Sequence, residues 1–212
     1  MRMFTGSSIL KHYARYGADY LAHWGYIGEP TSDNRSKINS AVKLGLPWCL
    51  DNGAFKAFDE PAFMRMLTHH QGLPGCVFVV APDVVGDAEQ TLIQFDQWQR
   101  IIHEMGYPVA LAAQDGLENY PIPWDCFECL FIGGSTTWKL SLAAAGLVAQ
   151  AKARGKHVHM GRVNGNRRIR YAQSIGCDSA DGTGYSIDPS RIGEAMPALK
   201  SEQLTLWSFN TC

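Results

Sequence analysis

Two carboxylates three positions apart, Asp178 and Asp181, stand in the run Gly176-Cys177-Asp178-Ser179-Ala180-Asp181-Gly182-Thr183. The small residues around them leave room for a ligand to approach. Five further segments pair polar groups with glycine or a flat or flexible apolar side chain: Asp51-Asn52-Gly53-Ala54-Phe55, Pro82-Asp83, Gln114-Asp115-Gly116, Gly133-Gly134-Ser135 and Met160-Gly161-Arg162. Pooled, they offer several carboxylates, an amide, backbone N–H groups at glycines, an aromatic ring and a thioether. No histidine, cysteine or lysine is placed there as a nucleophile or Schiff-base former. This set suits a flat heterocycle held by its edges and stacked on both faces. Two carboxylates beside it suit glycosidic-bond chemistry, one as nucleophile and one as acid/base. Taken singly, each segment is ordinary. A lone Asp caps a helix or closes a turn, Gly-Gly makes a tight turn, and Phe55 or Met160 packs in a core.

The elements between these segments repeat strand, loop and helix. Strands are expected at Met3 to Ser8, Trp48 to Leu50, Cys76 to Ala81, Pro108 to Ala113, Cys129 to Ile132 and His157 to Met160, with a short one in the Asp178 to Asp181 stretch. Leu204 to Phe209 is a candidate final strand. Helical spacing covers Ile9 to Trp24, Lys37 to Leu44, Pro61 to His70, Asp87 to Met105, Ser141 to Arg154, Arg167 to Ile175 and Ser190 to Leu199. Gly25 to Arg35 reads as a loop. Asp87 reads as an N-cap, and the alternating His157 and His159 as structural. Continuously apolar strands are buried on both faces, as in a parallel sheet. The rhythm predicts an α/β fold, a compact (β/α)8 TIM-type barrel with an irregular or incomplete last strand. An open doubly wound sheet is the alternative. In a barrel all six segments fall at strand ends and converge on one mouth.

Apolar residues make up 46 % of the 212 residues and the formal net charge is -1. A full core is therefore available, and no overall field draws the protein to nucleic acid or membrane. No apolar run has membrane-spanning length and no signal peptide is visible, so a cytoplasmic location with free thiols is expected. Cys126 and Cys129 form a lone C-x-x-C without the second pair or spaced histidine of a zinc site. Arg162, Arg167, Arg168 and Arg170 form a local basic run suited to phosphate contact.

The chain resembles the tRNA-guanine transglycosylase superfamily from about Leu50 to Thr183, and is most like its compact phage and bacterial members, which insert 7-deazaguanines into DNA. Asp51-Asn52-Gly53-Ala54-Phe55 stands where that family has Asp-Ser-Gly-Gly-aromatic. Asp83, Gln114, Gly133-Gly134 and Met160-Gly161 follow in family order, and Asp178-Ser179-Ala180-Asp181 matches Asp-x-x-Asp. The resemblance implies Asp181 as nucleophile and Asp51 as general acid/base. It implies a base pocket of Asp83, Gln114, Gly133, Gly134, Ser135, Phe55, Met160 and Asp178, with Arg162, Arg167 and Arg168 on nucleic acid. DNA is the expected polymer rather than tRNA, with a free base such as 7-cyano-7-deazaguanine as partner. The tRNA enzymes carry a zinc site after the nucleophile, made of three cysteines and a histidine. Here only Cys212 and no histidine follow Asp181, and Gly182-Thr183-Gly184 replaces Pro-Thr-Arg. The expectation is a single transglycosylase-like barrel over 1–212 with no zinc subdomain, no metal and no cofactor.

Overall fold

The structure is a computed structural model that describes residues 1–6, 9–30, 35–55 and 57–201. Eight parallel strands close into a barrel in sequence order. They are β1 (Arg2–Thr5), β2 (Trp24–Gly28), β3 (Trp48–Leu50), β4 (Cys76–Val80), β5 (Val109–Ala113), β6 (Cys129–Ile132), β7 (His157–Met160) and β8 (Ser179–Asp181). β8 is short but pairs on both sides, with Met160 and Met3 each opposite Ala180, so no strand edge is left open. Around the barrel lie α1 (Ile9–Tyr16), α2 (Ala18–His23), α3 (Arg35–Lys43), α4 (Glu60–His70), α5 (Ala88–Glu104), α6 (Thr136–Lys139), α7 (Leu142–Ala153), α8 (Asn166–Ile175), α9 (Thr183–Ile187) and α10 (Arg191–Lys200). This is a (β/α)8 barrel.

Strand periodicity of two divides the core. Trp48, Leu50, Val79, Leu111, Leu130, Val158 and Met160 face the helices. Phe4, Cys49, Phe78, Val80, Ala110, Ala112 and Cys129 fill the barrel, with Phe131 packed against them. Each fully buried ring adds roughly 1.5–3 kcal/mol. The interior is tight enough to dictate glycine: a Cβ on Gly25 would lie 2.5 Å from the Phe4 ring and 2.8 Å from the Pro47 carbonyl oxygen.

That glycine explains the one strand the sequence reading misplaced. β2 is Trp24-Gly25-Tyr26-Ile27-Gly28, expected as the end of a helix and the start of a loop. Gly25 reads as a breaker, but it is the space into which Phe4 packs. The expected single helix over Ile9 to Trp24 is two helices, parted at Gly17, whose φ is 54°. The candidate strand at Leu204 to Phe209 lies outside the described residues, and the barrel closes without it. Helix starts follow their capping residues. Asp87 accepts the Gln90 N–H at 3.0 Å, as expected of an N-cap, and Ser135 accepts that of Trp138 at 3.2 Å. Among the described residues no helix is long and apolar enough to cross a membrane.

Candidate active site

In a (β/α)8 barrel the loops after the strands build the reactive face. β8 turns Ala180 outward and so turns Ser179 and Asp181 inward. Asp181 is the last residue of the strand. Its Oδ1 accepts the Arg162 backbone N–H at 3.1 Å, and its Oδ2 lies 3.0 Å from His159 Nε2. The Asp181 carbonyl accepts the Val163 N–H at 2.6 Å, which ties the loop after β7 to β8. Arg162 has φ 61°, the sole positive φ of a non-glycine among the described residues. Such strain persists where surrounding bonds over-determine it, and here they fix an N–H donor on a carboxylate. Gly161 before it leaves the gap this needs, since a Cβ there would lie 2.9 Å from the Phe131 ring.

Asp51 follows β3 and faces the same mouth. Its N–H donates to the Gly28 carbonyl at 2.8 Å, continuing the β2 ladder. Burial, then the neighbouring charges of Asp181 and Asp83, push its carboxyl up to about 7, against an opposing hydrogen bond from the Gly53 backbone. Three carboxylates thus share one low-dielectric mouth. One of them, Asp51, is poised to hold or release a proton near neutrality.

Asp83 follows β4 at the side of that mouth. It accepts an N–H from Asn52 Nδ2 at 2.7 Å and another from Gln114 Nε2. Burial raises its carboxyl, while Asn52, Gln114 and the Arg162 charge pull the other way. Gln114 is buried, and its Oε1 accepts from Gly86 N at 2.9 Å and Gly134 N at 3.0 Å. Its oxygen and one N–H are therefore held by protein, and one N–H remains for a ligand. The Ser135 N–H and hydroxyl both donate to Asp115, at 2.5 and 2.6 Å. The expectation that the N–H groups of Gly134 and Ser135 meet a ligand oxygen is corrected: both are spent within the protein. The glycine pair serves packing instead. A Cβ at Gly133 would sit 2.7 Å from Gln114 Nε2, and one at Gly134 2.5 Å from the Trp138 ring.

At the rim, Phe55 is 70 % exposed and the Arg162 guanidinium stands 5.3 Å from its ring centroid. The same guanidinium donates to the carbonyls of Gly134 and Gly133. Arg162 therefore spans the mouth, and its role is local rather than that of a free phosphate ligand. Arg168 Nη1 donates to the Arg162 carbonyl at 3.3 Å, and Arg167 is exposed on the first turn of α8.

Two predicted residues lie elsewhere. Met160 is 2 % exposed and belongs to the outer layer with Val158, beside Thr136, Lys139 and Leu140. A stacking role in the mouth is corrected, because the strand phase that turns His159 and Gly161 inward turns Met160 outward. Asp178 precedes β8, at the opposite end of the barrel. It accepts from Lys152 Nζ at 2.6 and 2.7 Å and from the Val158 N–H at 2.8 Å. It is an ion-pair partner there, not part of the pocket.

Two further residues stand at the site: Lys139, which the sequence reading does not single out, and His159, which it takes as structural. Lys139 is 4 % exposed and donates from Nζ to the Gly161 carbonyl at 2.7 Å. Burial, then Arg162, lower its ammonium to about 8. His159 is fully buried against Asp181. The alternation of His157 and His159 on the strand next to Ser179 and Asp181 was a visible signal for it.

No family model and no curated protein matches the chain. Among solved structures it is similar to a mutant tryptophan synthase alpha-subunit from the hyperthermophile Pyrococcus furiosus. The TM-score is 0.58 at 11 % identity, covering 94 % of this chain and 95 % of that one. Another structure of a mutant of that subunit gives 0.52 at 14 % identity, covering 94 % of each chain. At such identities the likeness is one of fold: the chain is a TIM barrel, an architecture that enzymes use.

Proposed function

We propose that the protein is a base-exchange transglycosylase that replaces guanine in DNA with a 7-deazaguanine. The observation that carries this is the split between two carboxylates of one mouth. Asp51 is pushed to about 7 by burial and by Asp181 and Asp83, while Asp181 meets two nitrogen groups. Carboxylates whose surroundings differ in this way divide the labour of acid/base and nucleophile.

In this reading the Asp181 carboxylate bonds to C1′ of the nucleotide. The C1′–N9 bond breaks and its electron pair leaves on guanine, which Asp51 protonates. The incoming base then gives its N9 proton to Asp51 and attacks C1′, releasing Asp181. Asp83 accepts from the base's N1–H and amino group, since each oxygen keeps a lone pair beyond Asn52 and Gln114. The remaining Gln114 N–H meets the base oxygen, and Phe55 offers a stacking face at the rim. A target in duplex DNA must first be extruded.

The test is incubation with DNA, tRNA and isotope-labelled 7-cyano-7-deazaguanine, followed by mass spectrometry of nucleosides. Label in a deoxynucleoside is the expected result. Free guanine without incorporation would point to a glycosidase that passes the sugar to water. Label in tRNA alone would overturn DNA as substrate. Arg167→Ala should lower the slope of log affinity against log salt by about one unit if that arginine meets a phosphate.

A further inference from the structure

We infer that His159 is the positioning residue of Asp181, the last link of a one-way hydrogen-bond chain that runs up the inside of the barrel and ends on that carboxylate. Its catalytic consequence rests on the reading of Asp181 as nucleophile; the chain itself does not.

Four side chains on two neighbouring strands form it. His157 Nε2 lies 2.7 Å from Ser179 Oγ, Ser179 Oγ lies 2.8 Å from His159 Nδ1, and His159 Nε2 lies 3.0 Å from Asp181 Oδ2. Register accounts for the spacing: His159 pairs with Ser179 across β7 and β8, and Met160 with Ala180. His159 is wholly enclosed. It stacks on Phe131 at 4.9 Å, while Phe78 and Phe4 meet it edge-on at 5.0 and 5.8 Å. The titratable groups facing it are Asp181 on β8, His157 on its own strand, and the thiols Cys49 and Cys129, which burial raises and so keeps neutral. Ser179, 1 % exposed, is too enclosed to act as a nucleophile itself.

Donor counting sets the direction. With Asp181 ionised, His159 must donate from Nε2. A neutral ring then accepts at Nδ1, and only the Ser179 hydroxyl can supply that proton. Ser179 in turn accepts from His157 Nε2–H. Burial lowers His157, which keeps that ring neutral as this requires. Every hydrogen of the chain therefore points toward Asp181, and each link polarises the next. Reversing the chain would place a proton on Asp181 and disarm it. In the glycosyl ester, the oxygen facing His159 still accepts its N–H. When the carboxylate departs, the same bond meets the returning charge. The hydrogen bond thus orients one oxygen and leaves the pocket for the base untouched.

The direct test is 15N-resolved NMR of the imidazoles in the intact protein. His159 is expected as the Nε2–H tautomer, with Nδ1 unprotonated. An Nδ1–H tautomer would overturn the chain. The functional test compares His159→Phe with His159→Gln, whose amide N–H replaces Nε2–H. The Phe variant should lose about 100-fold in kcat with KM for the free base unchanged, and the acid limb of its rate profile should move to higher pH. The Gln variant should recover to within about tenfold. A Phe variant with wild-type kcat and profile would overturn the role. Should the Phe variant not fold, Ser179→Ala carries the test: it removes the proton donor to Nδ1 while Asp181 still holds Nε2–H, so the Nδ1 resonance is expected to move to that of an unbonded ring nitrogen, and an Nδ1 resonance unchanged from wild type would overturn the chain. An Nε2–H tautomer in a protein that transfers no base at all would uphold the chain and sink the transglycosylase reading.

Discussion

Asp178 and Asp181 lie three residues apart, at opposite ends of one strand, and meet opposite environments. Asp181 faces the barrel interior beneath the mouth, with 14 % of its side chain exposed, a buried imidazole on one oxygen and a strained backbone N–H on the other. Asp178, with 34 % of its side chain exposed, closes an ion pair with Lys152 at the barrel's other end. A carboxylate's chemistry here follows from which end of the strand it marks, and not from its residue type or its motif. At the upper end, low dielectric and like charges raise Asp51 and leave proton transfer near neutrality available. At the lower end, the Lys152 ammonium and the Val158 N–H satisfy the group, and such exposed pairs contribute about 0–1 kcal/mol.

The largest test of that contrast is Asp181→Asn. Base exchange should fall by about 10³-fold or more, with no covalent glycosyl-enzyme trapped, because the proposed nucleophile is gone. Mass spectrometry of quenched protein reads the intermediate. Exchange at wild-type rate would remove Asp181 from its role.

Asp51→Asn should lower the rate by about 10²–10⁴-fold, the usual range for a lost general acid/base. It should also stabilise the fold at alkaline pH. The carboxyl is raised in the folded state, so its contribution is fully present below the unfolded value of about 4 and is lost as pH rises through about 7. An amide carries no such penalty. Melting at pH 8 should show a gain of about 1–3 kcal/mol, while at pH 4 the two proteins should melt alike. Equal stability at both pH values would mean that Asp51 is not under this strain.

Asp83→Ala comes next. Besides facing the base pocket, Asp83 holds Asn52 Nδ2 and Gln114 Nε2. Each donor left unpaired costs about 1–3 kcal/mol, so stability and KM for the base should worsen together. Denaturant unfolding and exchange kinetics on the same sample check this.

Much of this mouth was legible before any coordinates. Strands β3 to β6 are continuous apolar runs, and the ends of β3 to β8 carry the polar residues in order. What the sequence hid was phase and occupancy. Met160 was placed in the pocket because it sits at a strand end, but strand alternation gives the inward positions to His159 and Gly161. Gly134 and Ser135 looked like free donors, while their partners, Gln114 and Asp115, sit about 20 residues earlier in a neighbouring loop. β2 was lost because Gly25 answers to Phe4 across the barrel, a contact that no local pattern contains.

The smallest effect belongs to Asp178→Asn, and it is the sharpest check on the comparison. Exchange activity should stay within about twofold, since the residue is remote from the mouth, and stability should change by about 1 kcal/mol or less at pH 7, because the pair with Lys152 is solvent-screened. Asn keeps an oxygen for the Val158 N–H. A small pH-dependent term should remain. Burial lowers His157 and Asp178 opposes that shift, so removing the carboxylate should push the ring further down. The folded value lies below the unfolded one of about 6.5, so this stability is present above 6.5 and is lost as pH falls. The variant should therefore match wild type at pH 8 and melt slightly earlier at pH 5. A large loss of exchange in this variant would return Asp178 to the site and dissolve the distinction between the two ends of the strand.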